Sequence, residues 1–321
     1  MDTAFILYHA AFLGIALLYT QSLNQIWRVN LFSLGHQGYA AIGGYTSIVV
    51  VRIVYPHLGF AVPSGWGDRL LGGSLLFGSM FLGGVVAAGA GFLTARAMSR
   101  VRDDYFAVGT LVFAEVVQNI LANADFLGGA QGVELPYLVY SNGLDERLAY
   151  VSLYAAIAVG MSAVLYAFLQ LLDRSVLGRQ IRAVNDDALA ASMCGVDVAW
   201  VQRTVFAANT GVAGVAGAIF VNFVSIVVPD DFNFTTSLPI VLYVVLGRSS
   251  NSGCILAGSF VYVAYETAKL RAFGILGSSI GDWLAGSKET FFAMLLIFSV
   301  IGPVLVRSKR RTHERIKEKT A

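Results

Sequence analysis

Apolar runs about as long as a bilayer is thick alternate with short polar breaks along nearly the whole chain. They cover residues 4–26, 31–55, 70–97, 105–122, 149–172, 205–228, 254–270 and 290–306, with a shorter run at 237–246. About 20 consecutive apolar residues cross the hydrocarbon core as a helix. The pattern therefore predicts an all-α polytopic membrane protein of eight or nine spans. Two places break the regular alternation. Only Arg28-Val29-Asn30 separates the first two runs, so either a very tight turn or a broken, re-entrant element joins them. Residues 237–246 cross about half a membrane at 1.5 Å per residue and precede the polar GRSSNSG stretch at 247–253, the pattern of a discontinuous helix.

The longest polar interval between membrane-length runs is 173–203. Within it Ile181, Val184, Ala188 and Ala191 recur at spacings of three and four, which predicts a short helix from about Leu177 with one apolar face. Arg179, Arg182, Asp186 and Asp187 give the opposite face its charge, and Gly195 is placed to end the helix. Such a helix outside the membrane is either ordinary water-facing packing or a surface for a soluble partner. The organisation expected is a transmembrane domain over 1–306, with 173–203 as its principal loop, and a basic tail over 307–321.

Composition supports the membrane reading. Of 321 residues 56% are hydrophobic and 13% charged, against about 25% charged in soluble domains. The weak alternation of a membrane β-barrel is absent. The net charge of +2 says little, but its distribution is informative. Fourteen of the 22 basic residues lie in the tail, in 174–203 and in 96–102. Counting spans puts these three segments on one side, expected to be cytoplasmic, and the acidic loops around Asp125–Glu146 and Asp230-Asp231 on the other. The first run has no basic residue before it and no convincing cleavage site after it, so it is expected to be a retained helix. Cys194 and Cys254 lie in different segments and suggest neither a disulfide framework nor a metal site.

Candidate chemistry is sparse. There is no GxxxxGK[ST] for nucleotide binding and no HExxH, and the four histidines are scattered. Gly277-Ser278-Ser279-Ile280-Gly281 fits the nucleophile-elbow pattern but lacks the preceding strand and any triad. An enzyme is not expected. Glu115 lies inside a span, where a carboxylate is either a functional group or a helix-packing partner. His36, beside Ser33, either faces a pathway or caps the helix that begins there. Glycine stripes at 72–91 and at 211, 214 and 217 fit close helix packing better than a pathway. The basic tail fits anchoring to anionic lipid.

Five ordered stretches carry a resemblance. They are SLGHxxYxxIGxYT at 33–46, RxxYFAVxTLxxxE at 102–115, GGxxGxxxP at 128–136, GRxIRA through AAxxxGV at 178–196, and PDxF through VVLG at 229–247. Together they resemble the M-type permeases of branched-chain amino-acid ABC importers. The chain departs from that pattern at Asn30 and Leu127, where glycine and threonine are usual, and at 248–254, where a glycine-rich stretch is usual.

The resemblance implies a permease subunit that moves branched-chain or similar small amino acids by alternating access. It implies a homologous second permease, two ABC ATPases that bind ATP and Mg, and an extracytoplasmic solute-binding protein. No cofactor in this chain and no nucleic acid are implied, and the chain is placed in the inner cell membrane with its C-terminus cytoplasmic. Gly178, Arg179, Arg182, Asp186 and Gly195 then become the ATPase-coupling residues, and Ser33, His36, Thr46, Thr110 and Glu115 the path candidates. An ion-coupled secondary transporter using Glu115 is the alternative.

Overall fold

The computed structural model describes residues 3–58, 65–98, 103–140 and 146–247, with isolated positions between 253 and 262. The chain divides into two units, Met1–Ser237 and Leu238–Ala321. Among the described residues, six helices are long and apolar enough to span a membrane. They are α1 (Thr3–Trp27), α2 (His36–Val54, continued by one 3₁₀ turn), α3 (Trp66–Ala97), α4 (Asp103–Ala122), α5 (Arg147–Arg174) and α8 (Val198–Val224). Two short helices, α6 (Val176–Asp186) and α7 (Ala188–Met193), lie between α5 and α8. α9 (Phe234–Gly247) contains Pro239 and crosses the boundary between the units. Its apolar part, Leu238–Gly247, has the expected half-membrane length. The break at 248–252, most of the run at 254–270, the run at 290–306, the 277–281 motif and the basic tail lie outside the described residues.

Within the first unit α8 is central, packing against α1, α2 and α3, while α1 pairs with α5 and α4 leans on α2. Small residues explain these contacts, because lipid tails compete with any apolar side chain and close backbone approach supplies the dispersion energy instead. A Cβ built on Gly43 would stand 2.3 Å from the Gly214 backbone, and one on Gly217 2.1 Å from the Ala40 carbonyl. Gly83 meets the Gly43 carbonyl in the same way. Gly14 does this between α1 and α5, against Ala158. The stripe at 211, 214 and 217 is a packing seam, and in the 72–91 stripe Gly83, Gly84 and Gly91 pack against α2 or α8, whereas Gly73, Gly78 and Gly89 meet nothing within 4 Å. Polar ties reinforce them. Asn222 Nδ2 donates to Ser47 Oγ at 2.8 Å and Ser47 pairs with Ser79 at 2.9 Å, joining α8, α2 and α3.

Connectivity alternates the ends of the spans. One face carries the α1–α2 junction, Arg96 at the end of α3, and the α6–α7 segment. The opposite face carries the end of α2, the start of α3, residues 123–140 and residues 225–233. A two-residue antiparallel ribbon confirms the second grouping, with β1 (Val133–Glu134) pairing β2 (Ile226–Val227). Gly128, Gly129 and Gly132 have φ of +87°, +55° and +83°, which turns the GGxxG motif back toward that ribbon. Tyr150 completes this face, its hydroxyl 2.6 Å from the Phe223 carbonyl.

One expectation is corrected and one open alternative is resolved. The helix expected to run from about Leu177 to Gly195 is two helices. Asp187 leaves helical geometry (φ −160°, ψ 107°), and its Oδ1 accepts from Leu189 N and Ala190 N, capping α7. Ser175 Oγ caps α6 by accepting from Gly178 N. The junction of the first two spans, open between a tight turn and a broken element, is a turn at 28–30 followed by a break. After Asn30 a buried coil runs to Gly35 before α2 starts at His36.

Candidate functional site: a coupling segment and a buried polar junction

α6 and α7 present the face that the heptad-like spacing predicts. Ile181 and Val184 are fully buried and Ala191 nearly so, while Arg179, Arg182, Asp186 and Asp187 are exposed. The coupling candidates separate into two roles. Gly178 is buried, and a Cβ there would stand 2.1 Å from the Leu172 carbonyl, so it sets how closely α6 returns against the end of α5. Arg182 is held by its own chain, donating to the Asp173 carbonyl at 2.7 Å. Gly195 (φ +85°) ends α7 after Cys194. Arg179 and Asp186 remain on the surface. Sequence reading missed two apolar groups there. Leu189 and Met193 are 69% and 80% exposed on α7. The signal was present, one turn apart on the side opposite Ala191, but the search for an apolar face counted only the buried one.

The α6–α7 segment is tied to the start of the bundle. Asn30, in the left-handed region (φ 59°), donates through Nδ2 to the Val184 carbonyl at 2.8 Å, at the C-terminal end of α6. Gln202 Nε2 donates to the Val29 carbonyl at 3.0 Å, and Arg28 pairs with Asp173 at 2.8 Å. Asn30 thus takes the backbone geometry a glycine would supply and adds a hydrogen bond no glycine can make.

Immediately beyond Asn30 the chain enters the polar junction. Ser33, His36 and Gln37 are buried, as are Tyr19, Thr20, Gln21 and Ser22 on α1. Thr110 of α4 joins them, its Oγ1 accepting from Leu34 N at 3.2 Å. Gly35 lets α4 approach, since a Cβ there would lie 1.7 Å from the Thr110 carbonyl. His36 does not cap α2, because the N-cap is Gly35 and no side chain caps that end. Ser22 Oγ donates to the Tyr19 carbonyl, so the 2.8 Å contact between Ser22 Oγ and His36 Nε2 has the imidazole N–H as donor. That assignment of the proton leaves Nδ1 as an acceptor.

The structure therefore gathers Ser33, His36 and Thr110, but not the other two path candidates. Thr46 is a half-buried residue bonded back to Ile42 O within its own helix. Glu115 lies on the exposed face of α4, beside Val112 and Val116 and turned from the Ala114–Gly38 contact. Among the described residues no group of three His, Cys, Asp or Glu side chains could hold a metal ion.

A multi-spanning helical bundle with a capped amphipathic segment outside the spans and a buried polar junction inside has the build of a membrane permease component. Comparison with known proteins agrees. Residues 4–300 match the family model described as "Branched-chain amino acid transport system / permease component", and the chain belongs to that family. It is 30% identical over 262 residues to the Escherichia coli (strain K12) high-affinity branched-chain amino acid transport system permease protein LivM, and 29% to its Salmonella typhimurium (strain LT2) counterpart. Each match covers 74% of this chain and 57% of the relative. A probable branched-chain amino acid transport permease protein LivM of Methanocaldococcus jannaschii is 21% identical over 205 residues, 61% of this chain and 56% of its own. The chain thus spans less than two thirds of the relatives' length. No solved structure matches.

Proposed function

We propose that this chain is one permease subunit of an ATP-driven importer for branched-chain or similar small neutral amino acids. It pairs with a homologous second permease, two ABC ATPases that bind ATP and Mg, and an extracytoplasmic solute-binding protein. The segment Val176–Met193 faces the cytoplasm and docks in the ATPase, with Arg179, Asp186, Leu189 and Met193 as its contacts. Gly178, Arg182 and Gly195 set the segment's pose. Nucleotide-driven movement of the docked segment reaches the bundle through Asn30 and the Arg28–Asp173 pair. The bundle then alternates access around the junction of Ser33, His36 and Thr110, a switch between two packings that ATPase and substrate favour differently.

The observation that carries this reading is the exposed apolar pair Leu189 and Met193 on a rigidly capped segment outside the spans. Two large apolar side chains held in water suit insertion into a partner's pocket. Replacing Leu189 and Met193 with Asp is expected to reduce ATPase co-purification at least tenfold, with membrane insertion unchanged. Unaltered association and unaltered uptake would rule the docking role out. The ion-coupled alternative takes Glu115, an acid within a span, as its coupling carboxylate. A carboxylate on an exposed helix face, apart from the buried polar groups, gives that reading no coupling geometry.

A further inference from the structure

We propose that the junction of α1 and α2 is a binding site for a small zwitterionic amino acid, in which the uncapped start of α2 takes the carboxylate and neighbouring acceptors take the ammonium. The proposal rests on the import reading for the substrate's class and goes beyond it in assigning the atoms.

α2 begins inside the bundle. Ser22 meets His36, and Ser22 lies five residues, about 7–8 Å along the axis, before the end of α1. A helix start carries free N–H groups and a partial positive charge, and it attracts carboxylates. Of the first-turn donors, Gly38 N reaches back to the Gly35 carbonyl at 3.1 Å, and no side chain caps the N–H groups of His36 and Gln37. An uncapped helix end in a buried setting is costly unless something else occupies it.

The side chains around this end supply the independent observation. Ser33, His36 and Gln37 are 0%, 1% and 3% exposed, and Gln21 and Tyr19 are 1% and 6%. Ser33 Oγ, His36 Nδ1, Tyr19 OH, Gln21 Oε1 and both amide atoms of Gln37 have no hydrogen-bond partner. These orphans sort by chemistry. Ser33 O–H, Tyr19 O–H and the Gln37 NH2 are donors. Gln37 Oε1 is an acceptor, and His36 Nδ1 is an acceptor because Nε2 holds the proton, whereas Gln21 is turned to α5, where its Nε2 donates to Ser162 Oγ at 2.8 Å. The Tyr19 and His36 rings meet edge-on at 5.0 Å, which brings one donor-bearing and one acceptor-bearing side chain together.

Charge sets the ligand class. Among the described residues no Asp, Glu, Lys or Arg is buried, so nothing here neutralises a net ionic charge. A zwitterion brings its own balance. The α2 end and Ser33 suit its carboxylate, and Gln37 Oε1 and His36 Nδ1 suit its ammonium. A cationic amino acid or a simple carboxylate would leave one charge buried and unpaired, which is expensive in this setting.

The test uses the full-length chain, reconstituted in lipid vesicles, in a Cys194→Ser, Cys254→Ser background. Ser33→Cys and, as a second variant, Gln37→Cys are reacted with a small methanethiosulfonate. The rate is measured alone and with millimolar leucine, leucinamide or 4-methylpentanoate. The latter two lack the carboxylate and the ammonium respectively. Leucine is expected to slow labelling at least fivefold, and the two truncated analogues less than twofold. No protection by leucine at either position, or equal protection by an analogue, overturns the proposal. This outcome is independent of the ATPase. Leucine protection in a chain that recruits no ATPase would sink the importer reading and leave this site standing, and the converse result would do the opposite.

Discussion

Asn30 shows how much a single residue carries here. Its backbone occupies the left-handed region, which glycine enters freely and Asn tolerates better than most other residues. Its side chain ties the α1–α2 junction to α6. Asn30→Gly keeps the backbone and deletes the tie, whereas Asn30→Ala also strains the turn. Substrate uptake per ATP hydrolysed is expected to fall about fivefold in Asn30→Gly with complex assembly intact, and thermal stability is expected to drop further in Asn30→Ala. Equal coupling ratios in wild type and Asn30→Gly would show that the contact transmits nothing. The sequence marked Asn30 only as a departure from the usual glycine. Its partner Val184 lies 154 positions away, and no local pattern reports such a pairing. Glycine positions allow a second prediction at this scale. Gly43→Ala and Gly217→Ala force a methyl into a facing backbone and should lower thermal stability, with overpacking costing about 1–3 kcal/mol each. Gly73→Ala and Gly78→Ala meet nothing within 4 Å and should be neutral or slightly stabilising in a melting assay.

At the scale of elements, the spans were legible because membrane length and apolar runs leave little ambiguity. The described bounds of α3, α4 and α8 fall within a few residues of the expected runs at one end or both. The α6–α7 segment was legible as an amphipathic stretch, but not its division at Asp187. An Asp inside a helical pattern reads equally well as an exposed residue or a cap, and only the ψ of 107° decides. Asp187→Ala removes the cap of α7 and is expected to cost about 1 kcal/mol of local stability. Faster amide exchange at Leu189 and Ala190, with α5 and α8 unchanged, is the measurement that checks it. The polar junction was half legible. SLGH stood out as a motif, whereas Gln21 and Ser22 lay hidden inside an apolar run. A polar residue within a span shows its face only once its neighbours are placed.

For the whole molecule, chain connectivity sets Cys194 and residues 123–140 on opposite faces. Cys194 is exposed, free and outside the spans. A membrane-impermeant maleimide is expected to spare Cys194 in intact cells and to label it after permeabilisation, while a cysteine placed at Gln131, also exposed, should react from outside. Labelling of Cys194 in intact cells would invert the orientation drawn from the charge distribution. What neither composition nor spacing could reveal at this scale is the central position of α8, because helix order in a bundle is set by which small-residue faces match.

The seams of α2, α3 and α8 have a mechanical corollary. Where backbone rests on backbone, as at Gly43–Gly214 and Gly217–Ala40, no long side chain stands between the helices to change rotamer and let neighbouring rods slip past one another. Those three helices should therefore travel as a single stiff block through any transport cycle. The compliance must come from the coil at 31–35, the lean of α4 and the pairing of α1 with α5, so that the wall of the conduit hinges around a fixed spine.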